Sequence, residues 1–78
     1  MIDQALVKKV MASVLEIDVA DISDDSSMDT IASWDSLRQM NLVLALEETF
    51  SVSIPDEDAA NATSYKLIVL VLEEQLAA

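Results

Sequence analysis

Ser36 and its neighbour Asp35 place a hydroxyl and a carboxylate at the start of a strongly apolar segment. A serine becomes a nucleophile when a base takes its proton, and histidine is the usual base. The chain contains no histidine and no cysteine. A Ser-His-Asp triad, a catalytic thiol, a disulfide and the usual zinc sites are therefore excluded within this chain. We expect a protein that is not an enzyme, so the hydroxyl of Ser36 needs another explanation.

The charge balance favours binding to other proteins. Fifteen acidic side chains stand against four basic ones, which gives a net charge of -11. Such a field repels nucleic acid and anionic membranes, and it attracts basic surfaces. The same net charge also favours the solubility of a chain whose residues are 53% hydrophobic. Partner binding and solubility can both benefit from it. We expect partners with basic patches, no nucleic-acid binding and no membrane insertion.

The start of the chain does not resemble a signal peptide, because Asp3, Lys8 and Lys9 interrupt its apolar residues. The longest apolar run, residues 67–72, is too short to span a bilayer. From these features and the absence of cysteine we expect a cytoplasmic protein, and we expect it to be a monomer.

The acidic segment "DISDDSSMD" partly matches the pattern of a calcium-binding loop. Asp21, Ser23 and Asp25 would fill positions one, three and five of an EF-hand. However, Ser26 stands where that loop needs glycine, and Ala32 stands where it needs the closing glutamate. The sequence therefore predicts a solvated acidic loop and no metal site.

Helical periodicity predicts a first helix that Asp3 caps and that fades at residues 16–18. Its apolar positions recur every three or four residues, namely Leu6, Val7, Val10, Met11, Val14 and Leu15. Residues 18–35 have no periodicity and are rich in Ser and Asp, but four apolar residues are spaced through them: Ile22, Met28, Ile31 and Trp34. We predict a long loop that these residues pin to the core, and such long loops tend to be functional.

Three further helices are predicted, over residues 36–50, over residues 56–60, and from a cap at Thr63 or Ser64 onward. Pro55 separates the first two, because proline ends one helix and suits the first turn of another. The last helix has one apolar face, formed by Tyr65, Ile68, Val69, Leu72 and Leu76. Three more residues widen that face until the middle of the helix is apolar nearly all round, which predicts central burial: Leu67, Leu70 and Val71.

The predicted fold is therefore all-α, a small four-helix bundle with three main helices, one short helix and a long first loop. At 78 residues the chain is predicted to form a single domain over residues 1–78.

The second helix carries two apolar stripes. Leu42, Leu46 and Phe50 project in one direction, and a second set projects roughly 150° away, namely Leu37, Met40 and Leu44. One stripe is enough to dock a helix on a core. The second indicates either a helix buried on most sides or an exposed patch for protein partners, with a polar rim of Asn41, Glu47 and Glu48.

Ser36 lies where the second stripe begins, at a helix N-terminus. Free N–H groups and the helix dipole favour an anion there, so a phosphate ester on Ser36 would be well placed beside a capping Asp35. The alternative is that Asp35 or Ser36 only caps the helix. The residue types alone leave both interpretations open.

Three segments resemble the acyl carrier proteins and their peptidyl-carrier relatives. They are "DSL" at residues 35–37, "ALEETF" at residues 45–50 and "SIPDEDA" at residues 53–59. The order of elements is also that of the family: a first helix, a long loop, the DSL helix, the IPDE turn, a short helix and a Thr-capped last helix. The resemblance covers almost the whole chain and implies a stand-alone phosphopantetheine carrier.

The resemblance implies that 4'-phosphopantetheine is attached to Ser36 by a separate phosphopantetheinyl transferase that uses coenzyme A. Asp35 would help that enzyme to position the hydroxyl and its metal. Acyl or aminoacyl groups would then be carried as thioesters, and the apolar interior could shelter part of an acyl chain. Activating ligases, synthases and other pathway enzymes would dock on one face, which comprises Leu37, Met40, Asn41, Leu44, Glu47 and Glu48.

Three residues depart from the pattern of fatty-acid carriers. Trp34 precedes Asp35 where many of those carriers have a small residue. Arg38 and Asn41 stand where those carriers have acidic residues. The changes at Arg38 and Asn41 make the rim less negative, so a dedicated polyketide, nonribosomal-peptide or cell-surface pathway is expected at least as much as fatty-acid synthesis. The alternative to a carrier is a degenerate relative that only docks, an acidic helical interaction module without cargo.

Overall fold

Four α-helices and their connections make up residues 2–77, the part of the chain that the computed structural model describes. They are α1 (Gln4–Leu15), α2 (Ser36–Phe50), α3 (Asp56–Asn61) and α4 (Tyr65–Ala77). The prediction of an all-α fold with one short helix and a long first loop is confirmed. A short 3-10 turn at Val19–Asp21, which the periodicity did not predict, lies inside the loop. None of the helices in residues 2–77 is long and apolar enough to cross a membrane.

Local capping determines where α1 starts and stops. The N–H of Leu6 donates to Oδ1 of Asp3 over 3.1 Å, so Asp3 is the predicted cap. At the other end Glu16 adopts a left-handed conformation, with φ at 57°, and its N–H donates to the carbonyl of Ala12. The chain has no glycine for this position, and a side chain there costs about 1–2 kcal/mol.

Arg38 stabilises this junction from α2. Its guanidinium donates to the carbonyl of Val14 over 2.8 Å and to Oε2 of Glu16 over 3.1 Å. A cation at a helix C-terminus also interacts favourably with the helix dipole. The side chain of Arg38 therefore joins the first turn of α2 to the end of α1.

The loop between α1 and α2 is pinned to the rest of the molecule, as predicted. Ile22, Ile31 and Trp34 are buried, and Met28 packs against the core. Two backbone hydrogen bonds add to this anchoring: the N–H of Met28 donates to Thr63 over 3.0 Å, and the carbonyl of Ser26 accepts from Tyr65 over 2.9 Å.

The core lies where α1, α2 and α4 meet. Its fully buried side chains come from all three helices, namely Val7, Met11, Leu15, Leu42, Leu46, Tyr65 and Leu72. Tyr65 also donates its hydroxyl hydrogen to Gln4 over 2.9 Å, which ties α4 to α1. Burial and the negative charge of Asp24 raise the pKa of Tyr65 above its usual value. The stripe of α2 formed by Leu42 and Leu46 is thus the face that packs in the core.

The prediction that the middle of α4 is centrally buried is wrong. Leu67 and Leu70 are 42% and 53% exposed, and Leu76 is exposed as well. A domain of 78 residues has too few elements to cover both sides of every helix, so apolar residues remain on the surface. Of the two predicted caps, Ser64 accepts from the N–H of Leu67 over 3.2 Å.

Ion pairing neutralises little of the negative charge. Among residues 2–77 there are two ion pairs, Arg38 with Glu16 at 3.1 Å and Lys66 with Asp25 at 4.0 Å. The second pair is highly exposed, so it contributes little to stability. Most of the 15 acidic side chains therefore repel one another without compensation.

Because screening relieves this repulsion, we expect the melting temperature to rise by about 3–6 °C when sodium chloride is raised from about 10 to about 300 mM. Circular dichroism at 222 nm, a helix signal, would measure it. The double variant Glu73→Gln/Glu74→Gln removes two exposed charges from α4 and should show a smaller rise. A melting temperature that does not respond to salt would contradict the prediction.

Candidate functional site

The N-terminus of α2 is capped by Asp35, which leaves the side chain of Ser36 out of the cap. Oδ1 of Asp35 accepts from the N–H of Arg38 over 2.8 Å, and its carbonyl accepts from Gln39 over 2.8 Å. Ser36 is the first residue of the helix and is exposed. Of the two capping residues that the sequence allowed, the structure therefore selects Asp35.

The position of Ser36 suits a phosphate ester. In any α-helix the first N–H groups have no intrahelical acceptor, and here Asp35 satisfies that of Arg38. The N–H groups of Ser36 and Leu37 remain available to an anion, which the helix dipole also stabilises. An exposed hydroxyl at this point therefore fits a phosphate-linked group, because the attached oxygens meet free N–H donors and do not enter the core.

The residues predicted as a partner face lie together on α2. At about 100° per residue they fall within an arc of about 120°. Three are apolar and strongly exposed, namely Leu37 (68%), Met40 (66%) and Leu44 (62%). Asn41 and Glu48 are also exposed, while Glu47 is half-buried. The second stripe is thus a surface patch, and the alternative of a helix buried on most sides is wrong.

Glu47 has a structural contact that the sequence did not reveal. Its Oε2 accepts from the backbone N–H of Ile54 over 2.7 Å. Its carbonyl also accepts from Ser51, the left-handed residue that ends α2, and from Val52. The side chain therefore closes the turn that leads to α3, whereas Glu48 is free in solvent.

This difference predicts unequal effects of two adjacent substitutions. Glu47→Ala should lower the free energy of unfolding by about 1–3 kcal/mol, because it leaves the N–H of Ile54 without its charged acceptor. Glu48→Ala, the matched control, should change it by less than about 0.5 kcal/mol. Urea denaturation of both variants measures the difference. Equal effects would show that the bond to Ile54 adds nothing to stability.

Arg38 does not bring a free positive charge to this face, because its guanidinium is bound at the end of α1. The first turn of α2 nevertheless contains no acidic residue. The softer negative rim predicted at the start of the helix therefore results from missing carboxylates. Negative charge on this side of the molecule comes from Glu48 and from the first turn of α3, which contains Asp56, Glu57 and Asp58.

A groove of about 320 Å³ lies between α2 and α3, beside the exposed patch. Its walls are mostly apolar and include Met40, Val43 and Leu44 from one side and Ile54, Ala59 and Ala60 from the other. Its volume is at the lower end of the range of ligand pockets, about 300–1,000 Å³. It can accept a small apolar chain.

A buried hydrogen-bond network that the sequence pattern did not reveal lies beside this groove. Nε1 of Trp34 donates to Oε1 of Gln39 over 2.7 Å, and Nε2 of Gln39 donates to the carbonyls of Ala59 and Ala62, each over 2.8 Å. A signal was present, because Gln39 lies three and seven residues before Leu42 and Leu46. A polar residue on the buried stripe needs a partner.

The acidic loop does not gather metal ligands. Residues 2–77 contain no group of three acidic side chains placed to hold a metal ion. Ser23 and Ser26 instead form local hydrogen bonds, in which the N–H of Ser23 donates to Oγ of Ser26 over 2.9 Å. These bonds stabilise the turn within the loop.

Two comparisons with known proteins bear on this site. Residues 5–72 match the model of the family described as "Phosphopantetheine attachment site". The fold is similar to the solution NMR structure of a holo acyl carrier protein from Geobacter metallireducens, with a TM-score of 0.85 and 21% sequence identity. That match covers 99% of this chain and 88% of the other. At 21% identity the structural match supports the fold. The family match supports attachment of phosphopantetheine.

Proposed function

Since the chain belongs to the phosphopantetheine attachment site family, we propose that Ser36 is the residue that bears the 4'-phosphopantetheine arm and that residues 1–78 act as one carrier domain. The protein is a carrier and not an enzyme, and its cofactor is covalently attached 4'-phosphopantetheine. When attached, the arm supplies the thiol that this cysteine-free chain lacks.

The observation that carries the proposal is the position of one hydroxyl. Ser36 is exposed at the N-terminus of α2 and takes no part in the cap, because Asp35 performs that role. Nearby Ser33 is half-buried and donates its hydroxyl hydrogen to the carbonyl of Leu15 over 2.8 Å. Ser33 is therefore held by the fold, while Ser36 is free to react.

In the loading step, Oγ of Ser36 forms a bond to the coenzyme A phosphorus that bears the pantetheine arm. The bond from that phosphorus to the bridging oxygen breaks, and the nucleotide part leaves with the electron pair. The proton of Ser36 passes to a base of the transferase, since the chain has no histidine. Asp35 immediately precedes Ser36 in the chain, and its carboxylate is oriented by the bond from the N–H of Arg38.

The partner face supports docking of a transferase, an acyl- or aminoacyl-activating ligase and synthases. Its apolar centre of Leu37, Met40 and Leu44 is exposed, and its acidic rim includes Glu48. Interfaces commonly combine an apolar centre with a polar rim, and charge complementarity speeds encounter. Basic patches on the partners fit this rim. Glu47 contributes less to docking than the sequence suggested, because its carboxylate is held by Ile54.

We propose acyl cargo in a dedicated pathway, such as polyketide or cell-surface assembly, for this carrier. The groove between α2 and α3 is apolar and small, which favours a short acyl chain over a polar aminoacyl group. The first turn of α2 has no acidic residue, so enzymes that require carboxylates there would bind weakly.

Incubation of the purified protein with coenzyme A and a broad-specificity phosphopantetheinyl transferase tests the proposal. Intact mass should increase by one phosphopantetheinyl group, and fragmentation of the labelled peptide should place the group on Ser36. An unchanged mass would favour the alternative, a docking module without cargo. Mass spectrometry of the thioester on protein isolated from its host would identify the acyl group.

A further inference from the structure

We propose that Gln39 is a positioning residue that holds α3 in place as one wall of the groove between α2 and α3, with Trp34 as its anchor. The inference rests on the proposed function in one respect, because it makes this groove the shelter for the acyl chain. It concerns residues that do not touch the hydroxyl of Ser36.

The short helix α3 is weakly held by its own residues. It has six residues, none fully buried, and its N-cap, Pro55, forms no side-chain cap bond. A helix of this length is unstable in isolation. Its three acidic residues, Asp56, Glu57 and Asp58, help at the first turn through the dipole. At its other end, α3 depends on a group from elsewhere in the chain.

Gln39 supplies that group. Its Nε2 donates to the carbonyls of Ala59 and Ala62, which lie in the last turn and at the C-cap of α3. These are carbonyls that a helix terminus leaves without an internal donor. The side chain of Gln39 therefore caps α3 from α2 and fastens it across the groove.

Trp34 fixes the orientation of the Gln39 amide. An indole N–H can only donate and a carbonyl can only accept, so the amide oxygen must face Trp34 and its nitrogen must face α3. Trp34 and Gln39 are 2% and 8% exposed. Breaking this network would leave polar groups buried without partners, which is costly.

The network adjoins the position of the cargo. Gln39 follows Ser36 by three residues, about one turn of α2, and it lines the groove together with Ala59 and Ala60 of α3. The attachment point at Ser36 and the groove-lining residue Gln39 are therefore about one turn apart on α2. If α3 moves away, the groove loses a wall while the helix start at Asp35 keeps its cap.

Hydrogen exchange of the apo protein tests this role directly. Gln39→Glu keeps an acceptor for Trp34 but removes both donors to α3, so exchange at residues 59–62 should rise about tenfold or more. Exchange in α1 should change much less. Trp34→Phe keeps both donors to α3 and should raise exchange at residues 59–62 less than Gln39→Glu does. Gln39→Met repeats the test without adding a charge.

An equal rise of exchange in α1 and α3 in both Gln39 variants would overturn the proposal, because Gln39 would then support only the domain as a whole. Unchanged exchange at residues 59–62 would overturn it as well. These readouts need no cofactor, so they stand even if Ser36 is not modified.

The second experiment measures shelter of cargo. A broad-specificity phosphopantetheinyl transferase loads the apo protein from acetyl or octanoyl coenzyme A. The rate of thioester cleavage by hydroxylamine is then compared between the two chain lengths. In the unmodified sequence the octanoyl thioester should be cleaved more slowly than the acetyl one. In Gln39→Glu that difference should shrink several-fold while acetyl cleavage stays the same. A difference that persists in the variant would show that the groove wall held by Gln39 does not shelter the acyl chain.

Discussion

Ser36→Ala is expected to abolish transfer of phosphopantetheine to this protein and to leave its fold intact. The loss should be complete, because no bond to phosphorus can form without the hydroxyl oxygen. Stability should change by less than about 0.5 kcal/mol, since Ser36 is exposed and Asp35 caps the helix. Intact mass after incubation with coenzyme A and a transferase measures the loading, and thermal unfolding measures the stability.

Ser33→Ala is the matched control for this experiment. It removes a hydroxyl three residues away that donates to the carbonyl of Leu15, so it should cost about 1 kcal/mol of stability and leave loading unchanged. The two variants thus separate reactivity from structure at neighbouring serines. Persistent loading of Ser36→Ala would show that the arm is attached elsewhere and would refute the assignment of the site.

Elements that depend on local signals were predicted well from the sequence. Asp3 and Asp35 cap their helices through bonds three residues along the chain, and Pro55 immediately precedes α3. The exposure of α4 was not predicted, because an apolar helix has the same sequence pattern whether neighbouring elements cover one of its sides or two. Leu67 and Leu70 are exposed because of how few helices the domain has.

The same distinction applies to the site. The place of Ser36 at the start of α2 and the second apolar stripe follow from residue type and helical spacing, so both could be predicted. That both are exposed is known only from the structure. Arg38 reaches Val14 and Glu16, which lie 24 and 22 residues away, and Gln39 reaches α3 from 20 and 23 residues away. Such contacts depend on how helices pack, and the sequence pattern shows only that a polar residue stands on a buried stripe.

Leu42→Ala is expected to destabilise the protein by about 2–5 kcal/mol, whereas Leu44→Ala should change stability by less than about 0.5 kcal/mol. Leu42 is 0% exposed in the core, and Leu44, two residues later, is 62% exposed. The first substitution leaves a cavity in the core, and the second removes surface that water already reaches. Urea denaturation measures both effects, provided that the slope of the unfolding free energy against urea concentration is the same in both variants.

The size of the domain makes this contrast severe. At about 0.05–0.15 kcal/mol per residue, a chain of 78 residues has about 4–12 kcal/mol of stability in total, so Leu42→Ala would remove a large fraction of it. Leu44→Ala should instead slow acyl transfer by a partner enzyme, measured as kcat/KM, without unfolding the carrier. Similar losses of stability in both variants would mean that α2 is buried on both sides. If Leu42→Ala lowers mainly the stability and Leu44→Ala lowers mainly the activity with a partner enzyme, then one face of α2 packs in the core and the other face binds partners.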